Sequence, residues 1–224
     1  MARSWDDPEA DEYLASLIPN AEFVRLPGFD SMPWVGDSEA VIAEIQRFLN
    51  ARRMPLASDT VLATLMFTDV VRSTETAARL GDRKWRELLS EHDMIARALV
   101  GRYRGNEQDH AGDGFLFTFD GPARAIRCAC AVSDALTQLG IEIRVALHTG
   151  ECESVDGKLR GIALHAGARV LEIAKPGEVF VSSTVRDLVA GSGFSFKDAG
   201  HRTLRGVPGR WRIFSLERSQ RDSD

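Results

Sequence analysis

The stretch NEQDHAGDGFLFTF, residues Asn106 to Phe119, sets a Gly-Asp-Gly turn between two short runs that read as strands. The pattern predicts an antiparallel hairpin with Asp113 in its turn and Asp109 and His110 just before it. Asp-Gly is ordinary turn chemistry, because both residues tolerate the backbone angles that a tight turn demands. Spacing alone therefore leaves Asp113 open, as a turn former or as a ligand.

Working outward, VLATLMFTDV (residues 61–70) is an apolar strand ending at Asp69. A long helical region follows over 72–103, with Ser73 or Thr74 reading as its N-cap. Downstream of the hairpin, Asp120-Gly-Pro opens a second helix from Ala123 to Leu139, with Asp120 as its cap. IEIRVALHTG (141–150) is a strand, GIALHAGARVLEIA (161–174) a helix, EVFVSS (178–183) a strand and TVRDLV (184–189) a short helix. FSFKDAG (194–200) and WRIFSLE (211–217) close the pattern as strands. The order predicts an α+β chain with a ferredoxin-like βαββαβ core and C-terminal additions. Such a core hosts many functions, so function has to come from particular residues.

Bulk composition narrows the field. With 44% hydrophobic and 27% charged residues, the chain reads as an ordinary globular protein. Its net charge of −5 is uneven: residues 1–60 hold eleven acids and five bases, whereas residues 61–224 are nearly balanced. There is no basic tail, no arginine stripe and no zinc-finger spacing, which argues against nucleic-acid binding. No run is long enough to span a bilayer, and MARSWDDPEADE is too acidic for a secretory signal. Three cysteines without a pairing pattern suit a reducing, cytoplasmic setting.

Composition shifts near residues 50–60. The reading is a front segment over 1–52, a linker over 53–60, a main domain over 61–216 and a polar tail over 217–224. In the front segment, Ala21–Leu26 reads as a short strand. Ser38 to Leu49 reads as an amphipathic helix with Val41, Ile42, Ile45, Phe48 and Leu49 on one face. So short a segment buries little core by itself.

Asp69 and Asp113 fall at the ends of strands that neighbour one another in the predicted core. Two carboxylates held close repel unless one is protonated or a cation bridges them. Hard oxygen ligands beside a strand-to-helix turn suit Mg²⁺ or Mn²⁺ with a phosphorylated substrate. Backbone N–H groups after Asp69, with the Ser73 and Thr74 hydroxyls, lie where a helix start favours phosphate. His110 and His148 read as strand or core histidines, and nothing makes a zinc triad.

Taken together, LMFTDVVRST, AGDGFLFTFDGPARAI, RVALHTGE and GIALHAGARVLEIAKPGEVFVSSTVRDLV resemble the class III nucleotide cyclase catalytic domain over roughly residues 60–216. The resemblance is to the mycobacterial adenylate cyclases in particular, in which this domain follows an α/β-hydrolase-like domain. It implies a head-to-tail homodimer that converts ATP to 3′,5′-cyclic AMP and pyrophosphate with two divalent cations. Asp69 and Asp113 match the family's metal-binding aspartates. Arg169 matches its transition-state arginine, and His165 stands where the general family has a ribose-orienting asparagine. Arg205 sits near the lysine that holds the terminal phosphates. Arg72 replaces a glycine of the phosphate loop and either contacts phosphate or faces solvent.

Base choice departs from the family pattern. The adenine-reading lysine and aspartate positions are Asp109 and Lys158 here, an exchange of the two residue types. A retained pair lets Lys158 donate to adenine N1 and Asp109 accept from the N6 amine. Guanine, whose N1–H and N2 amine want acceptors, is the counter-case for Asp109. A drifted register in SVDGKLRG, with Asp156 nearby, is the other reading. The resemblance implies adenine, hence ATP. A degenerate cyclase domain that binds nucleotide or dimerises without turnover also stays open.

The front segment resembles the C-terminal end of an α/β-hydrolase domain, with Ser31 at the position of the catalytic histidine and no G-x-S-x-G elbow in the chain. The resemblance therefore implies no hydrolase activity. Trp34 and the helix are left to contact the main domain or a partner.

Overall fold

The computed structural model describes residues 8–19, 21–25, 38–51, 59–155 and 157–218. The chain divides into two units, Met1–Leu56 and Ala57–Asp224. In the first, α1 (Pro8–Leu17) and α2 (Ser38–Ala51) are the helices among the described residues. Residues 21–25 form no strand, so the predicted strand at Ala21 is corrected. Among the described residues of this unit there is no strand to pair with it, so an apolar run of that length has no ladder to join. Along α2, Ile42 and Ile45 stay about half exposed. Ser31 and Trp34, on which the hydrolase-like reading turns, lie outside the described residues.

The second unit is built on β1 (Asp59–Val70). Then come α3 (Ser73–Leu80), α4 (Asp82–Arg102), β2 (Asn106–Ala111), β3 (Gly114–Phe119), α5 (Pro122–Gln138) and β4 (Ile143–Val155). They are followed by β5 (Lys158–Arg160), α6 (Ile162–Ile173), β6 (Val179–Ser182), α7 (Ser183–Leu188), β7 (Ser195–Arg202) and β8 (Trp211–Glu217). The sheet runs β2-β3-β1-β4-β6-β8-β7, with β5 paired to β4. β1 is antiparallel to both β3 and β4, and β4 to β6 is the parallel pair.

Helices cover both faces of this sheet, which is why β1 and β4 read as nearly unbroken apolar runs. On one face Met66, Phe117 and Leu147 pack with Val100 of α4 and Ile126 of α5. On the other, Leu65 and Cys152 pack with Ala163, while Ala146 packs with Ala166 and Val170, all three alanines and valine partners being residues of β4 or α6. Alternation along β1 thus sends neighbouring side chains into different cores. α6 lies so close that a Cβ added at Gly167 would overlap the Phe67 ring.

Two predictions about helix starts are corrected. The long helical region breaks at Gly81, whose φ of +78° ends α3 and opens α4. The N-cap of α3 is Arg72 in the left-handed region (φ 53°), with no side-chain capping bond, so Ser73 and Thr74 already lie in the first turn. Asp120 does not cap α5 either. Gly121 is the N-cap, and Asp120 pairs with Arg124. Among the described residues, no helix is long and apolar enough to cross a membrane.

Candidate functional site

Asp69 sits one residue from the end of β1, opposite Arg144 of β4. Arg144 donates from Nε (2.9 Å) and Nη2 (2.6 Å) to Asp69 Oδ2. The other carboxylate oxygen, Oδ1, faces the β2–β3 turn: a Cβ at Gly114 would stand 3.7 Å from it and 3.1 Å from the Thr68 carbonyl. Glycine at 114 is what allows the turn to come this near. Gly112 has φ +67°, while Asp113 is not among the positive-φ residues, the pattern of a type II′ hairpin turn. Asp113 is therefore a turn residue, and its position in the turn brings it beside Asp69.

The Asp113 carboxylate has an unusual environment. Its Oδ2 is buried without a hydrogen-bond partner. Burying an unpaired carboxylate oxygen is costly, and native proteins satisfy such atoms almost everywhere. A cavity of about 260 Å³ adjoins it, lined by Ser73, Thr74, Ala77, Trp85, Gly112 and Asp113. The cavity thus brings Asp113 together with Ser73 and Thr74, while Gly114 sets the turn against Asp69 at the end of β1. Two carboxylates, one with an unpartnered oxygen, are the kind of hard oxygen donors that a divalent cation takes. No group of three or more His, Cys, Asp or Glu side chains able to hold a metal occurs among the described residues. Arg72, beside this cavity in sequence, is exposed. Its positive φ costs an L-residue about 1–2 kcal/mol, which glycine at that position would avoid.

The predicted arginines come together elsewhere. On α6, Arg169 Nε donates to the backbone carbonyl of Arg205 (3.3 Å), and its guanidinium pairs with Glu172. His165 lies one turn earlier on the same helix and is exposed. No hydrogen bond or ion pair joins Arg169 to Asp69 or Asp113 among the described residues. The chain alone therefore does not assemble all the predicted groups into one site.

Asp109 lies opposite Leu116 of β3, and its Oδ1 accepts the His110 backbone N–H (3.0 Å). A register shift between Glu107 and Asp109 makes Gln108 an extra residue in β2. Gln108 Nε2 donates to Thr118 Oγ1 (3.4 Å), which donates to the Asn106 carbonyl (3.4 Å). This order fixes Gln108 Oε1, like the Asp109 carboxylate, as an acceptor. Lys158 is exposed on β5, and no ion pair joins it to Asp109. Asp156 lies outside the described residues.

Sequence reasoning missed Arg144 and Gln108. A cation inside the apolar run IEIRVALHTG was a legible signal for Arg144, whereas a bulge leaves no mark in composition.

His148 is a core histidine, as read from the sequence. It is 4% exposed, its Nδ1 is 2.9 Å from Ser182 Oγ, and its ring meets the edge of Trp211 at 5.3 Å. Burial pushes its pKa down to about 4. The folded chain therefore keeps His148 neutral, while the unfolded chain protonates it near pH 6.5. Stability is expected to be full above pH 6.5 and to fall as pH drops from there toward 4, by roughly 3 kcal/mol in all. Urea unfolding at pH 7.5 and pH 5 checks this, and a folded His148→Gln variant should show a flatter dependence. Burial also pushes the Cys128 thiol up to about 12 and raises that of Cys152, so neither offers a ready thiolate.

Comparison with known proteins bears on this geometry. No family model matches the chain. The crystal structure of the adenylyl cyclase CyaB from P. aeruginosa is similar with a TM-score of 0.68, at 19% identity, covering 75% of this chain and 100% of that one. The guanylate cyclase domain of RhGC from Catenaria anguillulae, solved with GTP, gives a TM-score of 0.63 at 18% identity, covering 70% of this chain and 96% of that one. A Rhizobium meliloti (strain 1021) protein provisionally named adenylate cyclase 3 is 27% identical over 161 residues, 68% of this chain. The chain spans about a quarter (26%) of that relative's length. The fold is a mixed α+β fold that resembles the class III adenylate/guanylate cyclase catalytic domain.

Proposed function

We propose that residues 61–216 form a nucleotide cyclase domain that converts ATP to 3′,5′-cyclic AMP and pyrophosphate at the interface of a homodimer. The observation that carries the reading is the buried, unpartnered Oδ2 of Asp113, next to a cavity and in a turn whose Gly114 lies against Asp69. Asp69 and Asp113 would hold two divalent cations, Mg²⁺ or Mn²⁺. When bound, these would supply Lewis-acid activation of the ribose 3′-hydroxyl and charge neutralisation at the triphosphate.

The chain's own residues would do the rest. The start of α3, with the Ser73 and Thr74 hydroxyls and the Arg72 guanidinium, would receive the phosphates. Arg144, next to Asp69, adds a fixed positive charge there. Arg169 from the partner chain would stabilise charge at the α-phosphate, with Arg205 on the terminal phosphates and His165 toward the ribose. Asp109 and Lys158 would meet the base. A ferredoxin-like description of the core rests on the strand order β2-β3-β1-β4.

A second reading, a weak or inactive nucleotide-binding and dimerisation domain, is favoured by one observation. The charges of the proposed site are already paired within the chain, Arg144 with Asp69 and Glu172 with Arg169. On base choice, the two acceptors on β2, Gln108 Oε1 and Asp109, support guanine as the alternative to adenine, because guanine offers two donors on its edge. Product analysis after incubation with Mn²⁺ and either ATP or GTP tests these readings. Cyclic AMP is expected, cyclic GMP as the product would assign guanine, and no cyclic nucleotide from either substrate would leave the inactive reading.

A further inference from the structure

β2 is an edge strand, its side chains are mostly exposed, and its ladder with β3 is interrupted at Gln108. Regular strand pairing therefore holds the Asp113 turn by only a few residues. What else fixes it is a set of side chains from α4. His92, Asp93, Ala96, Arg97 and Val100 recur at helical spacing on the side of α4 that faces the hairpin. His92 is 1% exposed, although the proposed chemistry does not use it.

Asp93 is the hub of this set. Its Oδ1 lies 3.0 Å from His92 Nδ1. Its Oδ2 accepts from Arg97 Nη1 (3.2 Å) and lies 3.5 Å from His110 Nε2. Arg97 also donates to both oxygens of Glu107, at 2.7 and 3.2 Å, and its Nη2 is 3.4 Å from His110 Nδ1. A neutral His110 carrying its proton on Nε2 satisfies both neighbours, donating toward Asp93 and accepting from Arg97. The rings complete the arrangement. His110 stacks on Phe115 at 4.1 Å and 11°, His92 stacks on the same ring at 5.6 Å, and the Arg97 guanidinium lies 5.0 Å from its centroid. Phe115 is two residues beyond Asp113 and pairs with Thr68, next to Asp69.

We propose that Asp93 is a positioning residue for the Asp113 turn. By joining His92, His110 and Arg97 it ties the β2–β3 hairpin to α4 and holds the Asp113 carboxylate against Asp69. The tie to metal binding rests on the cyclase reading above; the tie to hairpin order does not. A linked set of partly buried charges and stacked rings is worth more than an isolated surface pair. Removing Asp93 leaves Arg97 on Glu107, so the start of β2 stays anchored and the turn end is freed.

The test compares the full chain with Asp93→Ala and Asp93→Asn by amide hydrogen exchange. In Asp93→Ala, amides of residues 111–115 are expected to exchange at least about tenfold faster, with those of 106–108 little changed. Asp93→Asn keeps an acceptor oxygen and should stay within about threefold of the parent. A second readout is paramagnetic broadening of the Gly112 and Gly114 amide signals by Mn²⁺, without nucleotide. The half-saturating Mn²⁺ is expected to rise about tenfold in Asp93→Ala and to recover in Asp93→Asn. Parental exchange at 111–115 in folded Asp93→Ala would overturn the proposal. If that variant does not fold, His110→Gln takes its place with the same expected and overturning results. Absence of any Mn²⁺ response in the parent chain would count against the metal site, while the exchange result still decides the role of Asp93.

Discussion

Asp113→Ala is expected to lower Mn²⁺-dependent cyclic-nucleotide formation by about 10³-fold or more while leaving the fold as stable as before, or more so. The two halves of this expectation have different causes. A metal clamp supplies several kcal/mol of transition-state stabilisation, and about 4 kcal/mol corresponds to 10³-fold in rate. In the metal-free chain the same carboxylate is a liability, because Oδ2 is buried without a partner. Removing an unsatisfied buried acceptor together with its charge takes away a desolvation cost rather than a bond. The backbone of the turn depends on Gly112, not on Asp113, for its positive φ. Rate and thermal melting of metal-free protein, measured side by side, check the prediction. Retained activity would return Asp113 to the role of a turn former, and a large loss of stability would show that the carboxylate has a structural partner.

Mixing two inactive variants should restore activity. Asp113→Ala keeps Arg169, and Arg169→Ala keeps both aspartates. If each site takes its metal carboxylates from one chain and its arginine from the other, a mixed dimer carries one intact site. Random assortment makes half the dimers mixed with one of two sites working, so about a quarter of parental activity is expected. The same reasoning holds with Asp69→Ala as the first variant. The geometry motivates the experiment, because within the chain Arg169 bonds to Arg205 and Glu172 and to neither aspartate. Failure to complement, with both variants folded and associating, would sink the shared site.

Much of the main unit could be read from residue patterns because its elements are locally consistent. Trp211–Glu217 is a strand over the span predicted, and the β2–β3 hairpin, α5 and α6 fall within a few residues of their predicted bounds. The errors have physical reasons. A long amphipathic stretch reads as one helix, yet Gly81 adopts a positive φ and divides it. Hydroxyls near a helix start read as caps, but Arg72 takes the left-handed angle and moves the boundary one residue earlier. The places of Asp69 at a strand end and of Asp113 in a turn were legible, because both features are marked in sequence. Arg144 was not singled out, since pairing across 75 residues is a matter of register rather than of local pattern. The ring stack around Phe115 likewise joins α4 to a hairpin through contacts that no single segment announces.

The β1–β4 ladder pairs every residue from Asp59 with Ser154 to Val70 with Ile143. Such a ladder behaves as a stiff rod with a toothed edge. A strand advances about 3.3 Å per residue, and a slip of one residue would turn every side chain to the opposite face. A pull at Asp59 therefore has no intermediate stop: Asp69 keeps its place opposite Arg144, or the rod turns as a whole, or the teeth disengage.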